Sequence, residues 1–236
     1  MKSLSSGVRK PAYGSGAAAR KAVAVLLALL LTAAAAAAQV QERITIAALG
    51  DSLTQGYGLP PEDGFVPQLQ AWLNANGHPE VEVINAGVSG DTTAGGLSRI
   101  GWTLSDEVDA VIVALGGNDV LRGLDPAASR ANLDGILSAI GERGVPALVA
   151  GMQAPGNYGP DYKREFDAMF PELAEAHGAI LYPFFLQGLT GEDGGSLAQV
   201  RELMQGDGIH PNAQGVAQIV RDIGPYVARL VDRAQS

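Results

Sequence analysis

The stretch "ITIAALGDSLTQGYG" (Ile44–Gly58) sets an apolar run, Ile44 to Leu49, directly against a small polar turn that carries Ser52. A run of this length closed by glycine reads as a strand buried on both faces, the kind found inside parallel sheets. Serine after Gly-Asp at a strand-to-helix turn is ordinarily a helix N-cap. It also stands where an open parallel sheet meets its ligand, beyond the carboxyl end of a strand. The rest of the chain decides between the two readings.

Four more strand-forming runs follow: "VEVINA" (81–86), "DAVIVAL" (109–115), "PALVAGM" (146–152) and "AILYP" (179–183). Stretches of helical period lie near 64–76, 92–104, 126–143, 161–177 and 212–233. This alternation predicts an α/β domain of three layers, α/β/α, around a five-stranded parallel sheet. The flavodoxin-like order 2-1-3-4-5 would set the first strand between the second and third. Pro126 after Asp125, and Pro211, mark helix starts; Gly144 and Pro146 end one helix and open a strand. Gln187 to Gly206 reads as a long surface loop with at most a short helix.

The 236 residues are 47% apolar, enough for one core, and contain no cysteine, so neither disulfides nor thiol chemistry is available. Lys2, Arg9, Lys10, Arg20 and Lys21 precede "AVAVLLALLLTAAAAAA" (22–38), which has the form of a secretory signal cut near Ala38. An uncleaved membrane anchor is the alternative, at the lower limit of spanning length. The expectation is a signal over 1–38, one exported domain over 39–236, and a periplasmic or secreted location. The net charge of −9, with five cations in the signal, leaves −14 on the remainder. Such a surface repels phosphate backbones, which argues against nucleic acid as a partner.

The polar residues gather just after the strands: Gly50-Asp51-Ser52, "GVSGDT" (87–92), "GGND" (116–119) and, after the fifth strand, "DGIH" (207–210). A serine nucleophile needs a base, and the base needs a partner that fixes its tautomer. Of the three histidines, His78 and His177 end helical stretches, where histidine caps or faces solvent. His210 follows Asp207 by three residues, so one turn can hold carboxylate and imidazole together. Ser52 N–H, Gly90 N–H and the Asn118 amide are candidate donors to an oxyanion. Each element is weak alone, since turns and caps use the same residues.

Together, "GDSL" at Ser52, Gly90 in "SGDT", Asn118 in "GGND" and "DGIH" at His210 resemble the four blocks of the SGNH (GDSL-type) hydrolases. "NAGVSGDTTAGGLSRI" (85–100), "ALGGNDVLRG" (114–123) and "PGNYGPDY" (155–162) are most similar to the exported bacterial arylesterase, acyl-CoA thioesterase and lysophospholipase branch. The resemblance implies the SGNH hydrolase fold, a serine esterase acting on small acyl esters or thioesters, and no cofactor or metal. It also implies Ser52 as nucleophile, His210 as base, Asp207 as its orienter, and Ser52, Gly90 and Asn118 as the oxyanion hole.

Two other functions fit parts of the pattern. Asp51, Asp91 and Asp119 beyond strand ends could serve a metal-dependent phosphohydrolase, and the same fold could act as a non-catalytic envelope binding module. Leu59, Pro60, Met152, Pro155, Tyr158, Phe184 and Phe185 are candidates to wall an acyl groove, and plain core or loop packing fits these positions at least as well.

Overall fold

The computed structural model describes residues 43–191 and 197–236. The expected signal (1–38) lies outside the described residues, as does the 192–196 part of the expected loop.

Five parallel strands form one sheet in the order β2-β1-β3-β4-β5, as expected. They are β1 (Ile44–Gly50), β2 (Val81–Gly87), β3 (Ala110–Ala114), β4 (Ala147–Ala150) and β5 (Ile180–Tyr182). Every residue of β1 is buried, in keeping with a run in which only Thr45 is polar and with its place between β2 and β3. Its register, Ile44 opposite Val81 through Gly50 opposite Gly87, and Gly50 opposite Ala114 of β3, brings three strand ends level. The turns after β1, β2 and β3 therefore stand side by side.

The long helices are α2 (Phe65–Ala75), α3 (Thr93–Thr103), α5 (Pro126–Glu142), α6 (Pro160–Ala176) and α8 (Ala213–Ala234). Each lies within one residue of its sequence expectation, and three of them begin at a side-chain cap. Thr92 accepts from Gly95 N, Asp125 from Ala127 N, and Asn212 from both Gln214 N and Gly215 N. The start of α8 differs in detail: Asn212 is the cap, and Pro211 precedes it in an isolated bridge with Met204. Helices α2 and α8 pack together, as do α3 with α5 and α5 with α6, giving a helical layer on each face of the sheet.

Three short helices, α1 (Ser52–Gln55), α4 (Gly117–Leu121) and α7 (Gln187–Thr190), are too brief to show a period in sequence. The last is the short helix that the loop expectation allowed, but it is buried rather than on the surface. Gln187 and Leu189 are buried, and Gly188 lies so close to α8 that a Cβ would meet Gln218 O at 2.8 Å. Leu197–Leu203 adds 3₁₀ turns before the His210 loop.

Candidate active site

Ser52 is the first residue of α1, one step beyond the turn that leaves β1. The N-cap is Asp51, whose Oδ1 accepts from Leu53 N at 3.0 Å, so Ser52 is not needed as a cap. Gly50 is required by a close approach: a Cβ there would sit 2.0 Å from Thr54 Oγ1.

The partner of the Ser52 hydroxyl is His210, with Nε2 2.8 Å from Oγ across 158 residues of sequence. His210 Nδ1 lies 2.6 Å from Asp207 Oδ2. The other carboxylate oxygen accepts from Ile209 N at 2.9 Å and His210 N at 3.0 Å. The His210 backbone donor first, then its side chain and Ile209 N–H, hold Asp207 well below its ordinary 3.8, at about 2. An ionised carboxylate only accepts, so Nδ1 carries the proton and Nε2 presents a lone pair to the Ser52 hydroxyl.

Gly90 and Asn118 enter from the ends of β2 and β3. Gly90 has φ of +83°, a conformation that favours glycine, and its carbonyl accepts from Arg122 Nη2 at 2.6 Å. Asn118 Nδ2 donates to Asp91 O at 2.9 Å and lies 3.3 Å from Asp51 Oδ2. Asp91 is held in turn by Arg99 at 2.7 Å, and Arg99 also donates to Ala86 O and Gly50 O, tying the ends of β1 and β2 together. Among the described residues, the N–H groups of Ser52 and Gly90 donate to no protein acceptor.

Ser52, Gly90, Asn118 and His210 meet at a largely apolar cleft of about 710 Å³, with Asp207 behind the imidazole. The segments after all five strands line it, through Ser52, Gly90, Asn118, Met152 and Phe184, and His210 closes one side. The family model of the GDSL-like Lipase/Acylhydrolase family matches residues 48–218, a span that includes Ser52, Gly90, Asn118, Asp207 and His210.

The chain belongs to the GDSL-like lipase/acylhydrolase family.

It is similar to "Esterase TesA" of Pseudomonas aeruginosa, 37% identical over 188 residues, covering 79% of this chain and 89% of that protein. It is 35% identical over 185 residues to "Thioesterase 1/protease 1/lysophospholipase L1" of Escherichia coli, covering 78% and 79% respectively. Among solved structures, AlinE4, an SGNH-hydrolase family esterase, is 44% identical with a TM-score of 0.64, over 80% of this chain and 96% of that one. Family membership makes the chain an enzyme, a carboxylic ester hydrolase.

In this SGNH hydrolase the groove candidates divide between the two readings. Met152, Pro155 and Phe184 line it; Leu59, Pro60, Tyr158 and Phe185 do not. Phe185 points the other way, buried against Phe65 with ring centroids 5.1 Å apart, and Tyr158 packs on Tyr162 at 4.9 Å. Val120, Leu121, Leu186 and Ile209 take their place. Val120, Leu121 and Ile209 lie within or beside the "GGND" and "DGIH" motifs, and that adjacency was the available signal.

The remaining polar candidates have separate structural employment. His177 caps α6 and meets Asp134 at 2.7 Å, and His78 lies 3.7 Å from Glu80. Buried Asp119 accepts from Thr93 N, Thr93 Oγ1 and Ser129 Oγ. Asp51, Asp91 and Asp119 are thus each bound to their own donors. No group of three or more His, Asp or Glu suited to a metal ion is gathered among the described residues.

Proposed function

We propose that this enzyme hydrolyses carboxylic esters through an acyl-enzyme on Ser52. The observation that carries the proposal is the unbroken run from Asp207 Oδ2 to His210 Nδ1 (2.6 Å) and from His210 Nε2 to Ser52 Oγ (2.8 Å), at an apolar cleft. His210 Nε2 takes the hydroxyl proton as Ser52 Oγ attacks the acyl carbonyl carbon. Asp207 holds the imidazole in the required tautomer and stabilises the imidazolium. The tetrahedral adduct collapses when His210 returns that proton to the departing alcohol or thiol, leaving the acyl group on Ser52. Water then attacks the acyl carbon, gives its proton to Nε2, and the reverse transfer frees the acid and restores Ser52.

The developing oxyanion is met by Ser52 N–H, Gly90 N–H and Asn118 Nδ2. The two backbone donors have no protein acceptor to give up. Asn118 keeps its 2.9 Å bond to Asp91 O, which orients the amide, while the 3.3 Å contact to Asp51 is the weaker one that an oxyanion replaces.

The apolar lining of the cleft suits the acyl part of simple and aryl esters first, and the relative named as a thioesterase and lysophospholipase extends the reading to acyl thioesters and lysophospholipids. Loss of p-nitrophenyl ester turnover in Ser52→Ala tests the mechanism, and a chain-length series of esters and thioesters on the parent enzyme ranks the substrates.

The same reading has the enzyme exported, with residues 1–38 removed near Ala38. No helix among the described residues is long and apolar enough to cross a membrane, so the anchor alternative rests on residues 22–38. The intact mass of the protein recovered outside the cytoplasm distinguishes the two.

A further inference from the structure

We infer that Gln205 is a positioning residue that clasps the serine segment to the histidine loop and so sets the reach from His210 to Ser52, an inference that rests on the acyl-enzyme reading above. The side chain bridges the two halves of the site. Gln205 Nε2 donates to Tyr57 O at 2.8 Å, 148 residues away in sequence, and to Pro211 O at 3.0 Å. These two bonds use both hydrogens of its amide.

Each anchor lies one step from a reacting group. Tyr57 N donates to Ser52 O at 3.1 Å, closing the turn that Ser52 opens. Pro211 directly follows His210, and Gln205 N donates to His210 O at 2.7 Å. Gly208 N returns to Gln205 O at 3.0 Å, so the 205–210 loop is pinned from both sides of the imidazole. The clasp also seats the Tyr57 ring 4.8 Å from that of His210.

Gly58 makes room for it. Gly58 has φ of +75°, and a Cβ there would fall 2.3 Å from Gln205 Oε1. Gln205 is not part of the cleft lining, so it acts through Tyr57 and His210 and does not touch the substrate.

The test is steady-state hydrolysis of p-nitrophenyl butyrate by Gln205→Met, which keeps length without an amide, and by Gly58→Ala, Gln205→Ala and their double variant. Ser52→Ala is run alongside. A displacement of the base by a fraction of an ångström to an ångström predicts a kcat lower by roughly ten- to a hundredfold with KM held within about twofold. Gly58→Ala reproduces that loss from the opposite side of the contact, so the inference stays testable if Gln205→Met does not fold. Because Gln205→Ala removes the clash and leaves only the backbone strain of a side chain at this φ, adding Gly58→Ala to it costs less than Gly58→Ala alone. A folded Gln205→Met with kcat within about twofold of the parent overturns the inference. So does a Gly58→Ala loss that is as large in the Gln205→Ala background as in the parent. If Ser52→Ala is inactive in that case, the acyl-enzyme reading stands; an active Ser52→Ala overturns that reading instead.

Discussion

Asn118 Nδ2 lies 3.3 Å from Oδ2 of Asp51, the buried residue immediately before Ser52. Burial is the largest influence on Asp51 and pushes it up from 3.8 to about 6, against the opposing pull of Leu53 N–H, His210 and Asn118. Between those pH values the folded chain holds a proton that the unfolded chain has released. This group's contribution to stability is therefore full below about pH 4 and is lost as pH rises through about 6, to a limit of about 3 kcal/mol. Asp51→Asn keeps an acceptor for Leu53 N–H and should flatten that decline. Denaturant titrations of both proteins from about pH 4 to pH 8 check it, and equal slopes would contradict it.

Asp207 has the opposite sign. Its carboxyl is lowered to about 2, chiefly by the His210 backbone N–H, so the stability it contributes is present above about pH 4 and is lost as pH falls through about 2. Asp207→Ala should be less sensitive than the parent to acid in that window, read as the denaturation midpoint against pH.

Removing the Asn118 amide should separate chemistry from binding. Asn118→Ala is expected to lower kcat roughly 100- to 1,000-fold, the usual effect of one lost oxyanion donor, with little change in KM and an unchanged far-ultraviolet circular dichroism spectrum. A kcat within about threefold of the parent would remove Asn118 from the oxyanion hole.

The cleft wall at Ala154 is held by both of its backbone groups. Its N–H donates to Asp167 Oδ1 at 2.7 Å, and its carbonyl accepts from Lys163 Nζ at 2.8 Å. Asp167→Ala leaves a buried N–H without a partner, at a cost of about 1–3 kcal/mol. The loosened wall should also raise KM for long-chain esters more than for acetate esters, measured across a chain-length series.

The elements legible in sequence are those with their own local signals. The burial of β1 followed from its largely apolar run, and α3 and α5 are bounded by the caps Thr92 and Asp125 within one residue of expectation. The candidate residues Ser52, Gly90, Asn118, Asp207 and His210 stood out in sequence because each lies just past a strand or in the loop before α8, where chemistry concentrates in this topology. What sequence did not reveal depends on direction rather than identity. Phe184 and Phe185 are equally apolar neighbours, yet one lines the cleft and the other fills the core against Phe65. The short helix allowed in the 187–206 segment could not be placed because four residues show no period, and the burial of α7 depends on contacts with α8 more than 25 residues later.

The central claim, an activated Ser52, is tested most directly by covalent trapping. The enzyme is treated with a fluorophosphonate and the modified peptide is located by mass spectrometry. A single adduct on Ser52 is expected in the parent, none in Ser52→Ala, and a greatly slowed reaction in His210→Ala. An adduct on another residue, or full ester hydrolysis by a Ser52→Ala enzyme that takes up no label, would contradict it.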